Sequence, residues 1–241
     1  ITVKAKKLIQ KADVVVYSGS LIPSEILKMC KKAKKYDAAK LVREEIFDLL
    51  KKNAKKGKKV VRLHDGDPSI YGAIREQMDN LQKEKIDSVI IPGVTSFLAS
   101  AAALGAQLTL PGVTQTMIIS RAEKRTKVPK REKISELAKH KATMIFYLSV
   151  HLLSNIVKEA LAGGYSKSTP VGVVYRASWS DEKIITGTLG TITKRVRDEK
   201  ITRTAIIIIG DVIKPKSYEY SRLYDKSFSH GFRKAKTKPK D

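Results

Sequence analysis

The sequence predicts an α/β protein of two α/β domains, the first with a mostly parallel sheet and the second with a mixed sheet. In the first half of the chain, short β-branched runs alternate with segments of helical periodicity. Such alternation is typical of a parallel sheet that helices cover on both faces. In the second half, the predicted strands 170–176 and 183–187 follow each other directly, which indicates an antiparallel hairpin.

The predicted elements follow from the spacing of apolar residues and from glycine and proline at the boundaries. Helices are predicted at 2–11, 23–29, 41–57, 68–81, 96–104, 132–140, 151–162 and 190–199. Strands are predicted at 13–17, 60–64, 88–91, 115–120, 143–149, 170–176, 183–187 and 205–210.

The segment 108–112, LTLPG, interrupts the alternation and marks the predicted domain boundary. We therefore expect a first domain over 1–112 and a second over 113–213. Residues 214–241 are polar and basic, which favours a mobile tail. The chain begins within a helix and without methionine, whereas a βαβ design places a strand before that helix, so we also expect a first strand to precede Ile1.

Charge is the most pronounced compositional feature, because 48 basic residues face 24 acidic ones, a formal net charge of +24. Such an excess attracts anions, whether nucleic acid or a small polyanion. The lysine runs 31–35 and 51–59 also have a simpler explanation, since cations at helix ends oppose the helix dipole. The single cysteine, Cys30, excludes an internal disulfide and favours the cytoplasm. The apolar run 205–209 is too short to cross a membrane, so we expect a soluble protein.

Common catalytic signatures are missing from the sequence. The four histidines are scattered and no cysteine cluster accompanies them, so no metal site is predicted. The sequence holds no G-x-S-x-G elbow, P-loop or G-x-G-x-x-G stretch, which disfavours hydrolase, nucleotide triphosphatase and Rossmann functions. A reaction without metal or covalent nucleophile is indicated.

Two loops follow predicted strands and precede predicted helices. In HDGDPSIYGAIREQ (64–77), Asp67 and Pro68 are typical of a helix start, but Gly66 and Gly72 around an aromatic are not explained that way. In PGVTS (92–96), Thr95 or Ser96 either caps a helix or offers hydroxyl and amide groups to a ligand carboxylate. Because ligands of open α/β sheets lie beyond the carboxyl ends of strands, the pair predicts a pocket there.

Several stretches, in this order and spacing, closely resemble the tetrapyrrole methyltransferases. They are DVVVYSGSLIP, VVRLHDGDPSIYGAIREQM, IPGVTSFLASAAALGAQLTLP, MIFYLS, TPVGVVYRASWSDE and TAIIIIGDV. The resemblance runs from Ile1 to the SHGFR stretch and is strongest to the branch that methylates C-11 of precorrin-4 or cobalt-precorrin-4 in cobalamin biosynthesis. It implies a homodimer in which S-adenosylmethionine (SAM) lies in the cleft between two α/β domains, and it implies a glycine-rich loop just before Ile1.

The resemblance also implies roles for individual residues. Contacts to SAM are expected at Asp65, Gly66, Asp67, Ile70, Thr95, Ser96, Leu148, Ala177, Thr204 and Ala205. Contacts to the tetrapyrrole are expected at Ser18, Gly19, Ser20, His64, Tyr71, Arg121 and Arg176. The three cations of that second set are equally explained as ordinary strand-end residues.

The expected chemistry is an attack by an electron-rich ring carbon on the methyl group of the sulfonium. The protein then has to hold the two carbons close and in line. No general base is assigned, and Asp67 and Tyr71 are the candidates, although Asp67 also has a structural explanation.

Two alternatives remain open. One is a methyltransferase of the same superfamily that acts on a different tetrapyrrole, on RNA or on a protein side chain. The other is a basic nucleic-acid-binding module without catalysis, which the low aromatic content of 6% disfavours, because such modules stack bases on aromatic rings.

Overall fold

The computed structural model describes residues 1–123 and 126–237, without the side chain of Ser20. The chain divides into two compact units, Ile1–Ala99 and Ser100–Asp241, whereas the sequence-based boundary lies at Gly112. Among the described residues, no helix combines the length and the apolar character that a membrane span requires.

Helices and strands alternate in the first unit. They are α1 (Val3–Gln10), β1 (Val14–Tyr17), α2 (Ser24–Met29), β2 (Lys34–Asp37), α3 (Arg43–Ala54), β3 (Val60–Leu63), α4 (Ile74–Lys83) and α5 (Ser96–Ala103), the last of which continues into the second unit. Helix α1 begins where predicted, because the Thr2 hydroxyl accepts a hydrogen bond from the Ala5 amide at 3.2 Å.

Within the described residues of this unit, three parallel strands form one sheet in the order β2-β1-β3. Strand β1 is central and buried on both faces. Val15 packs in a cluster with Ile9 and Cys30, while Val14 and Val16 pack with Leu50 on the other side. The predicted parallel sheet with helices on both faces is therefore confirmed.

Strand β2 was not predicted from the sequence. Its residues, Lys34–Asp37, carry little apolar character and stand in the lysine run that we assigned to a helix end. Helix α2 does end nearby, at Met29. The strand exists because its backbone pairs with β1 from Val14 to Tyr17, and an edge strand needs few buried side chains.

The predicted strand 88–91 is wrong. In the part of the chain that the structure describes, these residues have no pairing partner, and Val89 and Ile90 are 81% and 44% exposed. A β-branched run favours an extended conformation, but a strand also requires a neighbouring backbone.

The predicted helix start at Pro68 is also wrong, since α4 begins at Ile74. Tyr71 and Ala73 have positive φ angles of 57° and 49°, which no right-handed helix accommodates. Residues 68–71 therefore form turns, residues 72 and 73 are irregular, and Asp67 caps the first turn instead of a helix.

The second unit follows the predicted order of elements. They are β4 (Met117–Arg121), α6 (Ile134–Ala138), β5 (Thr143–Tyr147), α7 (Leu153–Ala162), β6 (Pro170–Tyr175), β7 (Lys183–Thr188), α8 (Ile192–Asp198) and β8 (Ala205–Ile209). The described strands form one five-stranded sheet in the order β4-β5-β8-β6-β7. Strands β4 and β5 are parallel, whereas β8 is antiparallel to β5 and β6, and β6 and β7 form the predicted hairpin. The mixed sheet is confirmed.

The core of the second unit includes alternate residues of β5, β6 and β8, among them Phe146, Val173 and Ile207, which are fully buried. Gly172 lies at the middle of β6 because the Leu104 side chain occupies the space above it. A Cβ atom at Gly172 would stand 2.6 Å from Leu104 Cδ1.

The segment after Lys214 is held by backbone contacts as far as it is described. Arg233 Nη2 donates to the carbonyl oxygens of Leu223 (2.9 Å) and Asp225 (2.6 Å). The Glu219 amide donates to the carbonyl of Pro111 at 3.0 Å. Residues 238–241, the end of the predicted mobile tail, lie outside the described residues.

Candidate active site

Asp67 connects the two loops that the sequence singled out. Its Oδ1 accepts from the Ser69 amide, and its Oδ2 accepts from the Gly93 amide, both at 2.8 Å. These amides, that of Gly93 first, lower the pKa of the Asp67 carboxyl. Asp67 is therefore an ionised clamp between the loops, and it is poorly suited to accept a proton in catalysis.

Glycine allows the same loops to touch. A Cβ atom at Gly93 would stand 1.9 Å from the carbonyl oxygen of Gly66. Gly66 itself has a φ of 58°, and the position of its missing Cβ lies 3.5 Å from the Ser96 amide nitrogen. The loops thus meet backbone to backbone at the start of α5, where Thr95 is buried and Ser96 half-buried. Gly93 was not chosen from the sequence, although its place directly before a helix was the available signal.

Arg62 ties together the carboxyl ends of β1 and β3. Its Nη1 donates to the carbonyl oxygens of Val16 (3.1 Å) and Leu63 (3.2 Å) and to Ser18 Oγ at 3.3 Å. The Ser18 hydroxyl in turn donates to the Leu63 carbonyl at 3.3 Å. Sequence reasoning missed Arg62, because a cation inside a short β-branched strand carries no motif of its own.

A cavity of about 300 Å³ opens beside these residues. We call it the Arg62 cavity, and its polar lining is Ser18, Arg43, Arg62, His64, Asp65, Tyr71, Glu76 and Gln77. Three of the residues predicted to contact the tetrapyrrole, Ser18, His64 and Tyr71, thus lie around one space within the first unit. Tyr71 is 45% exposed.

Burial sets the ionisation of the groups in the Arg62 cavity. It lowers the pKa of His64 to about 4, an effect that the neighbouring Arg62 charge reinforces. Burial also lowers the pKa of Arg62. Although Asp65 retains solvent access, the protein around its carboxyl raises the pKa, and Arg62 only partly opposes this. At neutral pH His64 is therefore a neutral imidazole, with one donor and one acceptor nitrogen.

The loop of Ser18, Gly19 and Ser20 continues from β1. Gly19 has a φ of 52°, and a Cβ atom there would stand 2.6 Å from Ala39 Cβ, so a side chain is excluded. The side chain of Ser20 lies outside the part of the chain that the structure describes. Ile70, a predicted SAM contact, stands in the turns after Asp67 and is half-buried.

In the second unit, four predicted SAM contacts lie along one edge of the five-stranded sheet. Leu148 follows β5, Ala177 follows β6, and Thr204 and Ala205 begin β8, which runs in the opposite direction. The Arg176 amide donates to the Thr204 carbonyl at 2.9 Å, which fixes the two strand ends side by side.

Three residues at this edge have strained backbones. Leu148, Arg176 and Thr204 have φ angles of 53°, 48° and 56°, a region that non-glycine residues rarely adopt. The Leu148 residue is 65% exposed despite its apolar side chain. Strained non-glycine residues cluster at ligand sites more than elsewhere, which makes this edge a candidate binding surface.

The two arginines predicted to contact substrate in this unit are already bonded. Arg176 stacks between Tyr175 and Trp179, at 5.3 and 4.9 Å from the ring centroids, and pairs with Asp181 at 2.5 Å. Arg121 donates to the carbonyl oxygens of residues 126 and 127. Both guanidinium groups thereby shape loops, whatever else they contact.

Among the described residues, no group of three or more histidine, cysteine or acidic side chains is arranged to hold a metal ion. The groups assembled in the first unit are instead backbone amides, small hydroxyls and the guanidinium of Arg62, which suit an organic ligand with anionic groups. The second unit, by itself, offers apolar residues at the ends of its strands.

Residues 1–193 match the model of the Tetrapyrrole (Corrin/Porphyrin) Methylases, and the chain belongs to this family. The resemblance inferred from the motifs is therefore confirmed. A Cobalt-precorrin-4 C(11)-methyltransferase of Methanocaldococcus jannaschii is 53% identical over 239 residues, which are 99% of this chain and 92% of that protein.

Solved structures agree with this assignment. The X-ray structure of the cobalamin biosynthetic enzyme cobalt precorrin-4 methyltransferase CbiF superimposes with a TM-score of 0.87 at 45% identity, over 89% of this chain and 90% of that one. The uroporphyrin-III C-methyltransferase of Thermus thermophilus, complexed with S-adenosyl homocysteine, gives a TM-score of 0.73 at 27% identity, over 89% and 92%.

Proposed function

We propose that the chain transfers the methyl group of SAM to C-11 of precorrin-4 or cobalt-precorrin-4 in cobalamin biosynthesis. The observation that carries the proposal is the near-complete match to a Cobalt-precorrin-4 C(11)-methyltransferase. The contact of the loops 64–67 and 92–96 through Asp67 and Gly93 supports it, because it brings together the two loops from which SAM contacts are expected.

Two sets of residues would hold SAM. The first unit contributes Asp65, Gly66, Asp67, Ile70, Thr95 and Ser96, and the second contributes Leu148, Ala177, Thr204 and Ala205. The chemistry of these residues fits the cofactor, because Gly66 lets backbone approach closely and exposed Leu148 offers an apolar contact. The Thermus thermophilus relative, solved in complex with S-adenosyl homocysteine, supports SAM as the cofactor.

Bound SAM supplies an activated methyl group on a sulfonium, so the chain needs neither a metal nor a covalent nucleophile for the transfer. The residues around the loops orient the donor, and the strained edge of the second sheet keeps its apolar groups in fixed positions. Because holding the two reacting carbons in line removes much of the barrier, positioning is the main contribution of the protein. Asp67 serves this role as a clamp, which leaves Tyr71 as the candidate for proton transfer.

The direct test incubates the purified chain with SAM and with precorrin-4 or its cobalt form, and reads the product by mass spectrometry and NMR. We expect a gain of one methyl group at C-11. Titration calorimetry with S-adenosylhomocysteine is the companion measurement. A chain that binds S-adenosylhomocysteine but methylates another position, or neither substrate, would refute the assignment to C-11.

The net charge of +24 favours one alternative substrate, RNA. Incubation with labelled SAM and total RNA distinguishes the two functions. We expect no label in RNA, since the curated relative of highest identity cited above acts on a corrin precursor. Label in RNA with no activity on precorrin-4 would reverse the conclusion.

We also propose that the chain is a cytoplasmic homodimer whose functional domains meet at 108–112. The lone Cys30 and the family resemblance support the location, and the resemblance alone supports the dimer. Light scattering during gel filtration measures the mass. Limited proteolysis tests the boundary, with cleavage expected first within 108–112.

A further inference from the structure

The Arg62 cavity contains unpaired polar atoms that the proposed SAM contacts do not explain. Among the described residues, four buried side-chain nitrogen atoms have no hydrogen-bond partner, and two of them, Arg62 Nε and His64 Nε2, belong to this cavity. A buried polar atom without a partner destabilises the folded state, so unpaired atoms of this kind are uncommon and often mark ligand sites. Both residues line the same cavity of about 300 Å³.

Arg62 also has no ion-pair contact among the described residues, although the Asp65 carboxyl lies near enough to interact with its charge. Its recorded hydrogen bonds all involve Nη1 and uncharged oxygen atoms, and no carboxylate of a described residue lies within ion-pair distance. Arg43, at the rim, is in contrast paired with Glu44 at 3.1 Å and with Glu76 at 3.6 Å. A guanidinium that is bonded on one side and unpaired on the other is well suited to bind an anion.

Resting on the proposed function, we propose that the Arg62 cavity binds one carboxylate of the tetrapyrrole side chains, with Arg62 as the residue that holds it. The carboxylate accepts from the guanidinium of Arg62 and from a ring N–H of His64, and Ser18 also lines the cavity beside them. Arg43 at the rim attracts the anion.

The acidic groups of the cavity limit how many carboxylates enter. Asp65 and Glu76 also line the cavity, and Glu76 forms an ion pair with Arg43. A second carboxylate would meet their repulsion without a further unpaired cation, so we assign a single anion to this space. The same cations would also suit the carboxylate of SAM, and the experiment separates these two sources.

The test measures two dissociation constants on the full chain. Fluorescence anisotropy follows the binding of uroporphyrin, a tetrapyrrole whose side chains all end in carboxylates, and calorimetry follows S-adenosylhomocysteine. We expect Arg62→Gln to weaken uroporphyrin binding by about tenfold or more, which is the loss of one charge-assisted contact. Arg62→Lys keeps the charge and should lose less, and Arg43→Gln should lose about threefold. S-adenosylhomocysteine binding should change by less than about twofold throughout.

Arg75→Gln is the matched control, because it removes the same charge from an exposed arginine of α4 that pairs with Asp79 outside the cavity. If circular dichroism shows that Arg62→Gln does not fold, Arg62→Lys and Arg43→Gln carry the test. Arg62→Lys keeps a long basic side chain, and Arg43→Gln changes an exposed residue. Three results overturn the inference: no uroporphyrin binding by the unmodified chain, equal binding by all variants, or a loss confined to S-adenosylhomocysteine. If the unmodified chain does not bind S-adenosylhomocysteine, the proposed function is refuted instead.

Discussion

Asp67 and Gly93 determine how closely two loops of the first unit approach each other. A carboxylate joins the loops through two amides, and the absence of a side chain at 93 lets the backbones touch. The sequence indicated Asp67 as a helix cap or a SAM contact, but not its partner. Gly93 and Arg62 escaped prediction because their roles depend on what lies opposite them in space, which a local motif does not record.

Replacing Gly93 by alanine tests the approach of the loops. The new methyl group would overlap the Gly66 carbonyl, so one loop must shift, and overpacking of this kind costs about 1–3 kcal/mol. We expect a lower melting temperature and about tenfold weaker binding of S-adenosylhomocysteine, because a displaced site loses its contacts. Gly231→Ala is the control, since nothing lies within 4 Å of its Cβ position. Equal effects of the two substitutions would contradict the argument.

Asp67 also makes the stability of the fold depend on pH. The pKa of its carboxyl is lowered in the folded state from the ordinary 3.8, so the ionised form stabilises the fold at neutral pH. This stability is complete well above pH 3.8 and is lost as the pH falls through the lower folded value. Asp67→Asn should therefore reduce the melting temperature at pH 7 and differ progressively less from the unmodified chain in acid. Asp79→Asn, which changes an exposed carboxylate, should show a smaller difference at pH 7.

At the scale of elements, the sequence predicts the strands that are defined by buried apolar side chains. It does not predict the strands that depend on backbone pairing with a neighbour. Buried strands such as β5 and β8 are read correctly, because every residue in them is apolar or small. Strand β2 was not predicted, whereas the segment 88–91 was wrongly predicted to be a strand. The first pairs with β1 despite its lysines, and the second pairs with no strand of the described chain despite its β-branched residues.

The contact between Gly172 in β6 and Leu104 after α5 is a second element-scale test. A methyl group at Gly172 would stand 2.6 and 2.7 Å from the two Leu104 Cδ atoms. We expect Gly172→Ala to lower the free energy of unfolding by about 1–3 kcal/mol. In the double variant with Leu104→Ala the penalty should be smaller than the sum of the two single effects, since the second change frees the space. Chemical denaturation measures all four proteins, and strict additivity would show that the two residues do not compete.

At the scale of the whole molecule, the excess of cations has a cost as well as a use. Forty-eight basic residues outnumber 24 acidic ones, so half of the cations would have no opposite charge even if every acidic residue paired with one. These excess cations repel one another when the chain is compact. The same field attracts a substrate that carries many carboxylates. Salt therefore acts on stability and on binding in opposite directions.

We expect the melting temperature to rise by a few degrees, about 2–4 °C per kcal/mol of relieved repulsion, between low salt and about 0.3 M sodium chloride. Over the same range, the association of uroporphyrin should slow and weaken. Scanning calorimetry and anisotropy measure the two effects on the same sample. Sodium sulfate at matched ionic strength checks for specific anion binding, and a melting temperature that falls with both salts would contradict the electrostatic explanation.

Trp179 is the one tryptophan in the sequence, and it stacks on Arg176, next to Ala177. The indole is therefore a natural optical reporter at the strained end of β6. A ligand that settles against Ala177 perturbs the stacked pair and shifts the emission. Stopped-flow records of that signal give arrival and departure rates without a dye, which equilibrium titrations do not provide.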